Sequence, residues 1–189
     1  MKSPLETTRV IDAVRATLAD LLVMDFDDVT ADSRLVEDLD ADSLDLVDLN
    51  FRLGKRFGCS LPKASVLDHA ANLAGEPSPF LEHGRLTPLG KALLEQGLNG
   101  YAPEQLRVGM RPDEVFAATT VRNWANQILR IFEQLPAHCP DCGHAEASLD
   151  GAGLVVCGSC HARLPVPDGD TASRQRIQAF LDLSARRSA

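Results

Sequence analysis

No stretch of the 189-residue chain is apolar for long enough to cross a bilayer, and its first residues, MKSPLETTRV, lack the apolar run of a signal peptide. Both absences argue against membrane insertion and export, so a cytoplasmic protein is expected. Positive charge is scarce as well: 19 Lys and Arg stand against 27 Asp and Glu, a net charge of −8 at pH 7. Phosphate backbones are gripped by clustered cations, so nucleic acid is not an expected partner. There is no internal repeat, which sets aside solenoids and arrays. What is present is 44% hydrophobic content, enough to bury the core of one ordinary domain or two small ones.

The acidity is local. Between Met24 and Asp48 ten acids face one base, Arg34, while the remaining residues nearly balance. Such a window is either a solvated loop or a docking surface for basic partners.

Hydrophobic periodicity gives a mainly helical chain. Val10, Ile11, Val14, Leu18, Leu21 and Leu22 mark a helix over about 7–22, with Thr7 or Thr8 as its N-cap. A long connection, about 23–42, follows, pinned by Val29, Leu35, Val36 and Leu39. A second helix runs from Ser43 to Phe57: Leu46, Leu49, Leu53 and Phe57 share one stripe, Leu44, Val47 and Phe51 point elsewhere, and Gly58 caps the end. In 63–110, Pro77, Pro79, Gly84, Pro88, Gly97 and Gly100 punctuate short helices near Ala64–Leu73 and Thr87–Leu94. Pro112–Ala117 is a short helix and Thr120–Leu135 a strong one that buries Val121, Trp124, Ile128, Ile131 and Phe132. Residues 138–166 change character, with a small hairpin around Leu154–Val156, and Thr171–Arg187 forms a terminal helix.

The segment Leu39-Asp-Ala-Asp-Ser-Leu-Asp-Leu-Val-Asp-Leu49 resembles the signature of the acyl carrier protein family, in which an Asp-Ser-Leu triplet opens the second helix. On the triplet alone Ser43 is as well read as an ordinary N-cap. The resemblance extends upstream to Thr30–Leu39 and downstream to Phe57-Gly-Cys-Ser-Leu-Pro62, and Arg111-Pro-Asp-Glu-Val-Phe with Thr120-Val-Arg-Asn-Trp-Ala resembles the family's third helix and the start of its fourth. It implies that Ser43 receives a 4′-phosphopantetheine arm from coenzyme A. Asp42 would supply an oxygen ligand for the Mg²⁺ used by the modifying transferase, and Leu44 would flank the site. A serine at a helix N-terminus places the phosphodiester beside free N–H groups and the positive dipole end.

Two departures from the family pattern carry expectations. Residues 63–110 intervene between the second and third helices, as an insertion that either caps and selects cargo or is a stabilising appendage. The later turns of the second helix, with Arg52, Lys55 and Arg56, are basic, while Asp45 and Asp48 keep the first turns acidic. Asp45, Val47, Asp48, Phe51, Arg52 and Lys55 are thus expected to face partner enzymes of a dedicated pathway.

Cys139-Pro-Asp-Cys142-Gly and Cys157-Gly-Ser-Cys160 have the layout of a zinc ribbon. Four thiolates close a tetrahedral Zn²⁺ site with no place for water, so the metal's expected role is to fold a small segment; iron is the second choice of metal. His138, His144 and His161 flank the knuckles as alternative ligands or bystanders, and Arg163 is the lone cation between Cys139 and Asp170. Cys59 reads as a small packing residue, and His69 and His83 have no acid or serine at recognisable spacing.

The fold expected is mainly α: a four-helix acyl-carrier-like bundle over 1–137 with the insertion, a small β zinc ribbon over 138–167, and a short helical tail over 168–189. Expected partners are a phosphopantetheinyl transferase and the acyl-loading and acyl-transferring enzymes of one lipid, polyketide or other specialised pathway. An aminoacyl or peptidyl carrier and an unmodified zinc-ribbon scaffold are the rivals. A hydrolase built on Ser43 lacks an elbow motif and a paired histidine.

Overall fold

The computed structural model of the protein describes residues 1–75 and 78–188. Pro77, read above as a helix punctuator, lies outside the described residues. None of the described helices is long and apolar enough to cross a membrane.

The first helix, α1 (Thr7–Leu22), buries Val10, Val14 and Leu18. Its N-cap is Glu6, which makes no side-chain cap bond; Thr7 and Thr8 are already helical, one and two positions later than a capping role requires. The connection that follows is ordered, with Val29, Leu35, Leu39 and Ala41 buried, but Val36 stays at the surface. A backbone ladder staples it to the later part of the chain: Leu35 N donates to Thr119 O (3.1 Å), Val121 N to Ser33 O (3.1 Å) and Arg122 N to Ala31 O (2.8 Å). The acids of this stretch are partly answered locally, because Arg34 pairs with Glu37 and Asp38, and Arg122 with Asp32. The Arg34 bond holds the Asp38 carboxyl below the usual carboxylate range.

Helix α2 (Ser43–Phe57) buries Leu46, Leu49 and Leu53 and ends at Gly58, whose φ of 65° is the left-handed conformation that glycine adopts without a Cβ penalty. The short helix α5 (Pro112–Ala117) leads into α6 (Val121–Phe132), capped by Thr120, and α6 buries all five apolar residues expected of it. Helices α1, α2 and α6 enclose the first core, which the ribbon shares through Cys139, Val155, Cys157 and Leu164.

Residues 63–110 build a second core. Helix α3 (Val66–Ala74) starts with a Ser65–Asp68 capping box, and α4 (Pro88–Gln96) with Thr87 accepting from Gly90 N. Between them lies a hairpin absent from the sequence reading, β1 (Leu81–Glu82) against β2 (Arg85–Leu86). Its turn is His83-Gly84, with φ of 50° and 72°, the two positive values that a two-residue turn of matching twist needs. Val66, Leu67, Phe80, Leu86 and Leu93 close this core together with Val115 of α5.

The C-terminal module pairs β3 (Ala147–Leu149) with β4 (Val155–Cys157) in antiparallel register. Helix α7 (Gly169–Ser188) then ties the two cores, with Ala172 in the first and Ile177 and Phe180 in the second. Its first residue has to be small: a Cβ on Gly169 would lie 2.3 Å from Pro62 N, and Gly169 N donates to Ser60 O at 2.6 Å. Next to it, Asp170 accepts from Lys63 N (3.0 Å), Ala64 N (3.3 Å) and His69 Nε2 (2.9 Å).

Burial alone would raise the Asp170 carboxyl, but the bonds from His69, Lys63 and Ala64 outweigh it and leave the group below its usual range. A carboxyl lowered by folding contributes stability above its unfolded pKa of about 4 and loses it as pH falls further. Asp170→Ala is therefore expected to destabilise the protein at pH 7 by about 1–3 kcal/mol and to flatten the fall in stability below about pH 4. Denaturation midpoints from pH 3 to 7 measure both. An acid limb as steep in Asp170→Ala as in the natural protein would refute this assignment.

Candidate functional site

Ser43 is the first residue of α2, and the cap is Asp42. The Asp42 carboxylate accepts from Leu44 N (2.7 Å) and Asp45 N (2.9 Å), while Asp45 Oδ2 accepts from Asp42 N (2.9 Å), a reciprocal capping box. Because Asp42 takes the capping role, the Ser43 hydroxyl is left over. It is exposed and makes no hydrogen bond among the described residues. The chain enters the site through Asp40, which has a φ of 54°, and Ala41 N, which donates to Leu35 O. The serine is thereby held by the same loop that is stapled to α6.

Beyond Ser43 the outer face of α2 carries an apolar stripe at helical spacing: Leu44 is 76% exposed, Val47 67% and Phe51 70%. Of the charged residues expected to face partners, Arg52 is paired with Asp48 (2.9 Å) and Asp20 (2.6 Å), Asp45 is engaged in the capping box, and Lys55 is exposed.

A cavity of about 290 Å³ opens beside Ser43. Leu46, Val47 and Asn50 of α2 form one wall, residues 62–67 with Leu94, Asn99 and Tyr101 another, and α5 and α6 the floor with Val115, Phe116, Trp124 and Gln127. Asn50 is fixed in this wall by Trp124 Nε1, which donates to its Oδ1 at 3.0 Å. Sequence spacing gave no signal for these residues, since they come from five separate segments that only packing brings together. The same holds for His69, whose acid partner Asp170 is far away in sequence.

The four cysteines converge within the C-terminal module, whose Leu154 and Arg163 lie against Gly58 at the end of α2. Their Sγ atoms all lie within 4.8 Å of one another, with Cys139 to Cys160 at 3.7 Å and Cys142 to Cys157 at 3.6 Å. A tetrahedron with metal–sulfur bonds of about 2.3 Å has edges of about 3.8 Å, so the donor set fits a single four-coordinate ion. The backbone N–H of Cys160, and after it that of Ser159, lower the Cys157 thiol, while, against the N–H of Ala162, the neighbouring cysteines raise that of Cys160, so the four sulfurs share their protons as one cluster. None of His138, His144 or His161 belongs to this group, and His144 instead faces Glu146 at 3.9 Å. Burial pushes the Cys59 thiol up to about 12, in keeping with a packing residue.

The family described as Phosphopantetheine attachment site matches residues 12–75, a span that contains the later part of α1, the stapled loop, α2 and α3. That match passes Pro62 and stops short of 111–135. An acyl carrier protein of Petrotoga mobilis is 38% identical over 72 residues, which cover 35% of this chain and 85% of that protein. One from Campylobacter jejuni subsp. doylei is 43% identical over 55 residues, 29% of this chain and 71% of its own length. Polyketide-8 synthase acyl carrier protein 2 of Streptomyces avermitilis is 38% identical over 65 residues, 33% of this chain and 75% of that protein. No solved structure matches. With the serine-headed helix, the stapled loop and these relatives in agreement, the chain belongs to the acyl carrier protein family.

Proposed function

We propose that Ser43 is the attachment point of the arm and that the protein carries acyl intermediates for the enzymes of one dedicated lipid, polyketide or other specialised pathway. The observation that carries this reading is the free, exposed hydroxyl at the first position of α2, left unbonded because Asp42 serves as the cap. In the loading step the Ser43 oxygen bonds to the pantetheine-bearing phosphorus of coenzyme A. The phosphorus–oxygen bond to the second phosphate breaks, adenosine 3′,5′-bisphosphate leaves, and the hydroxyl proton passes to the transferase or solvent. Asp42 would supply an oxygen ligand to the Mg²⁺ that the transferase uses, and the phosphodiester would come to rest at the helix N-terminus. The arm's thiol then supplies the thioester; the carrier makes and breaks no bonds in the cargo.

Leu44, Val47 and Phe51, with Asp45, Asp48, Arg52 and Lys55 around them, form the docking face for the transferase and the pathway enzymes. The bundle with its insertion is the carrier unit, and the module from 138 to 167 is held by one Zn²⁺ on Cys139, Cys142, Cys157 and Cys160. Iron on the same thiolates would give a coloured protein, so an absorbance spectrum and metal analysis separate the two. A peptidyl cargo and an unmodified scaffold are the competing roles.

The deciding experiment is intact mass after incubation with coenzyme A, Mg²⁺ and a broad-specificity phosphopantetheinyl transferase. One phosphopantetheine per chain is expected, and none on Ser43→Ala. A folded, metal-loaded protein that takes no arm would turn the assignment to a scaffold.

A further inference from the structure

We propose that the cavity beside Ser43 receives a short acyl cargo bearing a hydrogen-bonding group, such as a hydroxyl or a keto oxygen, and that Gln127 recognises that group. The inference rests on Ser43 being the attachment point and names the chemistry of what is attached.

The case begins with an unpartnered amide. Gln127 is 6% exposed, sits on the buried face of α6, and makes no hydrogen bond among the described residues. Its neighbours on the same helix are all engaged. Asn123 accepts from Thr120 N (2.9 Å) and donates to Asn99 O (3.2 Å), and Trp124 donates to Asn50. Buried polar groups are hydrogen-bonded in nearly every case, so an exception calls for a missing partner. Gln134 Oε1 and Ser173 Oγ are also unpartnered, but they are sealed off. Gln127 instead lines the cavity that Ser43 lines too.

The rest of the wall sets the size and character of the guest. Val66, Leu67, Leu94 and Val115 make it apolar. Its volume of about 290 Å³ lies at the lower end of the roughly 300–1,000 Å³ typical of ligand pockets. A saturated chain suits the apolar wall but leaves the amide unanswered. A short chain with one oxygen satisfies both, since a carboxamide donates to a keto oxygen and accepts from a hydroxyl. Val66, Leu67 and Leu94 all belong to 63–110, so the segment acts as a selecting wall.

The test compares two cargoes on the intact protein. The transferase is supplied with butyryl- or 3-hydroxybutyryl-coenzyme A, and loading is confirmed by mass. Thioester loss is then followed by mass, each rate being divided by that of the same free coenzyme A thioester. The 3-hydroxybutyryl group is expected to be protected more than butyryl by about two- to tenfold, the worth of one net hydrogen bond. In Gln127→Leu the two are expected to be protected equally. Because Gln127 has no bond to lose, the variant is expected to melt at the same temperature or higher, which a purely structural glutamine would not allow.

Equal protection of both cargoes in the natural protein would overturn the proposal, as would a preference that survives in Gln127→Leu. So would an NMR shift of the Gln127 side-chain amide as large with the bare arm as with the hydroxylated cargo, since the arm would then be the partner. A protein that takes no arm fails at the mass step, which locates the failure in the attachment reading; a loaded protein without preference leaves that reading intact.

Discussion

Removing a metal held by Cys139, Cys142, Cys157 and Cys160 is expected to lower the melting temperature by about 10 °C or more and to loosen the wall of the cavity beside Ser43. Binding of structural zinc is worth about 10–16 kcal/mol in isolated zinc-finger peptides, comparable to the whole stability of an ordinary domain, and each kcal/mol shifts the melting point of a chain this size by about 2–4 °C. The ribbon does not stand apart here, since Cys139, Val155, Cys157 and Leu164 are part of the first core. The strand β4 also leads toward α7, whose Gly169 and Asp170 hold Ser60, Lys63 and Ala64 in place. Hydrogen exchange should therefore rise after chelation both in 138–167 and at Lys63 and Ala64. A metal-free protein with an unchanged melting point and unchanged exchange at those amides would show that the cluster does not brace the carrier.

Phe80→Ala should cost about 3–5 kcal/mol, the usual loss for emptying a buried phenylalanine site. Phe80 is 1% exposed at the centre of the second core, where its carbonyl accepts from Thr87 N and lies close against Gly90. That close approach leaves no slack for the site to collapse. The second core also carries Val66, Leu67, Leu94 and Val115 of the cavity wall, whereas Ser43 and its cap belong to the bundle. The expected pattern is thus lower stability by denaturant titration and weaker cargo protection, with the arm still added to Ser43. Loss of arm addition at a temperature where the variant stays folded would mean that the two cores cannot be perturbed separately.

Both results bear on the segment 63–110. As an appendage it would be removable without consequence, yet its core supplies the seat for Ile177 and Phe180 of α7. Deleting it would uncover those side chains as well as open the cavity.

Local pattern settled a good deal. The helical stripes of α1, α2 and α6 were legible because burial selects one face at a fixed period, and that selection acts residue by residue. Asp-Ser-Leu marked the head of α2, and two Cys-x-x-Cys pairs marked the four sulfurs that converge, because cap and knuckle are made by residues close in the chain. Local pattern also misled in places. It offered threonine caps for α1 where Glu6 stands, buried Val36, and passed over the hairpin at His83-Gly84, whose two-residue strands are too short to show alternation.

Tertiary structure alone decided the rest. The Asp170–His69 pair, the convergence of Asn50, Tyr101, Val115 and Gln127 on one cavity, and the role of α7 as a tie between two cores all join residues far apart in sequence. No spacing rule reaches across such separations; they are fixed by which apolar faces remain to be covered once the helices have formed.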